Sequence, residues 1–157
     1  MPGQRRDYLL QQTELLRQFV ARLVRDRNPA GVDEALHLAL SLQERLFPIP
    51  AAEFLVLDAD EQVNRLRANE TSAAGREKCE SYAALLREAA FLYELRGRTD
   101  LAAGARQLAL HVVLLAADEP PGEATRQLVL KLTNDLAGEP LHAPVAALLA
   151  EFEHDKA

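Results

Sequence analysis

Cysteine occurs once in these 157 residues, at Cys79, and tryptophan is missing altogether. A single thiol excludes a disulfide framework within the chain and any cysteine-rich zinc site. Valine, isoleucine and threonine together number only 15. Strands favour these β-branched residues because they pack well on a pleated surface, so a β sandwich, a barrel or an ordinary α/β sheet is not expected. Seven scattered glycines form no loop of the kind that cradles phosphate ahead of a helix. No run of 18 apolar residues is present, and no membrane span is expected. Arg17, Arg22 and Arg25 interrupt the apolar residues near the N-terminus, so that segment does not read as a secretory signal. Together with the lone thiol, this places the protein in the cytoplasm as an expectation. An excess of positive charge is also missing. There are 18 basic against 24 acidic residues, and a nucleic-acid partner is not expected.

What is abundant is leucine and alanine, 29 and 27 residues. Neither loses much rotamer freedom in a helix, and the composition therefore points to an all-α protein. The length suits one domain spanning residues 1–157, able to bury roughly 70% of its unfolded surface. Charge is unevenly placed: residues 1–30 carry six arginines against Asp7, Glu14 and Asp26, while the rest is strongly acidic. A basic, amphipathic first helix could dock on an acidic body or on a membrane surface; the simpler reading is a solvated helix face.

Apolar residues three and four apart predict about seven helices. The first runs from about Gln4 to Arg27 and stops at Asn28, Pro29 and Gly31. The second, Val32 to Phe47, has an inner stripe of Ala35, Leu36, Ala39, Leu42 and Leu46. Residues 48–71 form an irregular insert after Pro48 and Pro50. Within it, Ala51 to Leu57 allows a turn or two of helix, and Asp58 with Glu61 caps a short helix to Arg67. A long helix from Ser72 to Arg96 ends at Gly97, a residue suited to a left-handed C-cap. Thr99 then caps a helix from Asp100 to Ala117 that is apolar almost all round, and so should be central. Pro120 and Pro121 are expected to open the next helix, which runs to Ala137. A last helix from about Leu141 or Pro144 to Glu153 buries Val145, Leu148, Leu149 and Phe152.

Two of these segments resemble the tetratricopeptide repeat (TPR), a helix–turn–helix of about 34 residues with small residues where its helices pack. In Leu86 to Ala117, Tyr93 precedes Gly97 by four residues, and Gly104, Ala105 and Leu108 follow at positions where the second helix takes small and then larger residues. Gly31, Val32, Asp33, Glu34, Ala35 and Leu36 resemble the start of a repeat's second helix. The opening Asp7-Tyr8-Leu9-Leu10 and the overall layout also resemble an uncharacterised bacterial family of short TPR-like proteins. The resemblance implies a TPR-like bundle of antiparallel helix pairs and carries no activity with it. It also implies that one face of the Ser72–Arg96 helix lines a groove for a partner. On that face, shared by Arg87, Phe91, Glu94 and Leu95, Phe91 and Leu95 would supply apolar contacts and Arg87 a clamp for a carboxylate. Another helix of the same chain, or a second copy in a homodimer, is the other candidate to cover it.

Chemistry-bearing residues are few. Glu-x-x-His on a helix is a signature of carboxylate-bridged metal bundles, and Glu34 with His37 and Glu151 with His154 both fit it. Glu139 with His142 repeats the spacing around Pro140. Fifteen glutamates make chance matches easy, and Glu34 in a first turn is explained by the helix dipole alone. Cys79 has Arg76 and Lys78 nearby to lower its pKa, but Glu77 and Glu80 oppose them, and an inert helix thiol is expected. His111 stands in an apolar helix and is expected to be a core or partly buried histidine rather than a base. The reading is a non-catalytic interaction or self-association module without cofactor; the alternative is a carboxylate/histidine metal-binding bundle or enzyme.

Overall fold

Helix ends fall where short polar side chains and left-handed residues can satisfy stray backbone groups. A computed structural model describes residues 2–156, and the side chains of 8–154. Among the described residues there are eight α-helices and no strand. They are α1 (Pro2–Arg25), α2 (Val32–Glu44), α3 (Ala51–Phe54), α4 (Ala59–Arg67), α5 (Ser72–Leu95), α6 (Thr99–Ala116), α7 (Glu123–Asp135) and α8 (Ala143–Lys156). The all-α expectation holds, with eight helices where about seven were expected. None of the described helices is long and apolar enough to cross a membrane.

Asp58 accepts from the Glu61 amide at 2.9 Å and starts α4 at the expected residue. Thr71 does the same for α5, accepting from Ala74 at 3.1 Å. At the end of α5 the Arg98 amide donates to Tyr93 and the Gly97 amide to Glu94, both at 2.9 Å. Gly97 sits at φ +77°, as its left-handed cap requires. The end of α1 repeats this pattern with Arg27 in the left-handed place, at φ +48°. There the Asn28 amide donates to Leu23 at 3.0 Å.

Three ends differ from expectation. Thr99 is the first residue of α6 and makes no cap; Arg98 precedes it and instead bonds the Asp100 carboxylate at 3.0 and 3.1 Å. Pro120 and Pro121 lie before α7, which starts at Glu123. A residue before proline is pushed out of helical geometry, so Pro121 holds Pro120 outside the helix. Helix α2 stops at Glu44, and Leu46 and Phe47 continue in a tightened turn with amides donating three residues back. Pro48 disfavours helix at Phe47.

One cluster of buried apolar side chains runs from Leu16 on α1 to Phe152 on α8. Its centre is α5 packed along α6. Helices α1 and α2 pack on α5, α7 and α8 pack on α6, and α4 touches both. Apolar patterning pointed to α6 as the central helix; α5 shares that place, burying Tyr82, Leu85 and Leu92 on one side and Ala83 and Ala90 besides. The 48–71 insert is part of the core. Phe54 is fully buried and stacks on Phe47 with ring centres 4.0 Å apart. Both rings meet Tyr82 of α5 edge-on, at 5.5 and 5.7 Å. The Tyr82 hydroxyl donates to Gln62 at 3.1 Å, and the Gln62 amide donates to the carbonyls of Phe54 and Leu57. One buried glutamine thus ties α3, α4 and α5 together.

Candidate interaction site

Arg87, Phe91, Glu94 and Leu95 stand on the last turns of α5 at spacings of four, three and one, so they share a flank of the helix. Two of them, Phe91 and Glu94, are drawn together by a residue the sequence reading passed over, Arg106 of α6. Its guanidinium donates to Glu94 at 2.6 Å and lies 5.3 Å from the centre of the Phe91 ring. Arg87 approaches the same ring to 4.9 Å. A cation over an aromatic face is attracted by the ring's quadrupole, and two such contacts hold Phe91 in place. Hydrogen bonding from Arg106 holds the Glu94 carboxyl below its usual range. The Arg106 Nε is buried with no partner among the described residues. Leu95 stands apart from this group, half-buried against the core.

Arg87 was expected to offer its fork to a partner's carboxylate. Its fork is taken by the chain itself: Nε and Nη2 donate to the two oxygens of Asp135 on α7, at 2.5 and 3.3 Å. This bidentate pair is largely buried, which fixes Arg87 as a wall rather than a free clamp.

Beside this flank a groove of about 460 Å³ runs between α1 and α5. Val20, Ala21, Val24 and Phe91 give it an apolar floor. Glu14, Arg17, Arg25 and Arg87 stand around its edge, and Glu88 faces it. Arg17 pairs with Glu14 at 3.0 Å and Arg25 with Asp26 at 3.2 Å. Glu88 is only 6% exposed, and among the described residues it has neither a hydrogen-bond nor an ion-pair partner. Burial pushes its carboxyl up, against the pull of Arg87 and Arg17 and with the help of Asp135 and Glu14. Glu88 was not singled out in the sequence, yet it stands three residues after Leu85 and four before Leu92, within the buried stripe.

The other sequence candidates are not assembled into a site. Glu34 and His37 are both exposed on α2, as are Glu151 and His154 on α8 and Glu139 and His142 before it. No group of three metal-ligating side chains comes together among the described residues. Cys79 is fully buried, and burial, outweighing Arg67 and Lys78, pushes its thiol up to about 11. His111 is partly buried on α6. On α1, Arg22 is exposed, and Tyr8 lies 5.0 Å from the Arg45 guanidinium. The Asp7 side chain of the opening motif lies outside the described residues. No family model matches the chain, and neither a curated protein nor a solved structure matches it significantly.

Proposed function

We propose that the chain is a non-catalytic protein-interaction module, TPR-like in build, with α1 and α2, and α5 and α6, as antiparallel pairs. Its docking surface is the groove between α1 and α5, and its place is the cytoplasm. The observation that carries this reading is the groove itself: an apolar floor ringed by charges already paired within the chain. Such a floor gains from being covered, whereas a pre-paired edge needs little rearrangement to receive a partner. The non-catalytic reading is also supported by the chain's one thiol, which does not line the groove and is buried and pushed up to about 11. The occupant is a partner protein or a second copy in a homodimer.

Val24, 39% exposed in the groove floor, is the place to test it. With Val24 replaced by the photo-crosslinker p-benzoyl-phenylalanine in the producing cells, illumination should yield an adduct of discrete mass. The same replacement at exposed Lys131 on α7 should not. Equal, diffuse labelling from both positions would sink the proposal.

A further inference from the structure

Four of the five charged side chains lining the groove have a partner of opposite sign within the chain. Arg17 has Glu14, Arg25 has Asp26, and Arg87 has Asp135. Glu88 is the exception, and it is also the most buried of them. An anion arriving here finds no cation free to meet it. A cation finds a carboxylate on a residue only 6% exposed, acted on at a distance by Arg87 and Arg17 but with no hydrogen bond or ion pair among the described residues. The space beside that carboxylate is apolar, so the arriving charge must sit on an apolar body. The lining on α1 reaches from Glu14 to Arg25, about 16 Å of helix. An open trough of that length matches a stretch of polypeptide better than a small ligand, which is normally enclosed over most of its surface.

We infer that this groove receives a segment of a partner protein carrying one lysine or arginine flanked by apolar residues, with the Glu88 carboxylate as counter-charge. The inference rests on the groove being the docking surface proposed above. In the empty groove, the groups facing Glu88 are Arg87 on its own helix, Arg17 and Glu14 from α1, and Asp135 from α7. Both arginines are committed to acids, and burial outweighs them, so the carboxyl stays raised. A bound ammonium or guanidinium favours the carboxylate and lowers it again, so docking releases protons at pH values around the raised one.

The probe is a phage-displayed library of random 16-residue peptides, selected on the intact chain. Enriched peptides should carry a lysine or arginine between apolar residues. Glu88→Gln, which keeps the shape and removes the charge, should weaken them by about tenfold or more. So should replacing the basic residue of the peptide by methionine. Calorimetry in buffers of different ionisation enthalpy should report proton release with the wild type and none with Glu88→Gln. Peptides that lack a basic residue and bind Glu88→Gln equally well, yet are blocked by Ala21→Arg in the floor, would overturn this inference and leave the interaction reading standing. A homodimer that fills the groove, seen by light scattering and broken by Ala21→Arg, would do the same. No enrichment, together with no adduct from position 24, would overturn both.

Discussion

A carboxylate buried without a partner leaves a trace in stability that can be read apart from binding. Burial raises the Glu88 carboxyl above its value in the unfolded chain, so the unfolded chain gives up that proton first as pH rises. The stability Glu88 contributes is complete below the ordinary glutamate pKa of about 4.3 and is lost as pH climbs through the raised value. Glu88→Gln lacks that loss. Its melting temperature should equal the wild type's near pH 4 and exceed it increasingly toward pH 8, and parallel curves would contradict the burial assigned to Glu88. The Tyr82 hydroxyl sets the opposite case, a buried polar group fully used. Tyr82→Phe leaves the Gln62 carbonyl oxygen without its donor and should cost about 1–2 kcal/mol. Urea unfolding should show this as a lower midpoint with an unchanged slope.

Helix ends were legible wherever one residue decides the cap. Asp58 and Gly97 act within four residues of chain, so their spacing states their role. Thr99 misled because the preceding turn, closed by Gly97 and Arg98, already leads into α6, leaving no extended residue for a threonine cap. Pro120 misled because a second proline follows it. Two of the left-handed ends, those at Arg27 and Gly97, are alike in hydrogen bonding and allow a paired test. Arg27 holds φ +48° with a side chain that disfavours it, whereas Gly97 holds φ +77° freely. Arg27→Gly should stabilise by about 1 kcal/mol. Gly97→Ala should destabilise by about as much. No described atom lies within 4 Å of where a Cβ at position 97 would stand, so that cost is backbone strain alone. Thermal melts of the two variants should move in opposite directions, and a shift of the same sign would show that the ends are held by something else.

At the scale of the whole molecule, periodicity shows which flank of a helix faces inward but not which helix it meets. It placed Arg87, Phe91 and Glu94 together on α5. It could not show that Asp135, 48 residues away, would take the Arg87 fork, or that Arg106, 12 residues beyond Glu94, would bond it and close over Phe91. Arg106 did leave a signal, as the one basic residue in a helix otherwise almost wholly apolar. The short helices of the 48–71 insert were legible, but its place in the core was opaque for a related reason. Its helices have four and nine residues, too short to show a repeating stripe, and what orders them is a ring cluster with Tyr82 contributed from outside. That dependence runs both ways. If Phe54 is a member of the central core, its loss must be felt in α5 rather than only in the insert. Phe54→Ala should cost about 3–5 kcal/mol. Amide hydrogen exchange should then speed up around Cys79 to Leu86 as well as in α3 and α4, because opening of the insert removes one of the two rings that pack Tyr82. Faster exchange confined to residues 48–71 would mean that the insert opens by itself and that α5 and α6 are held by the other helices alone.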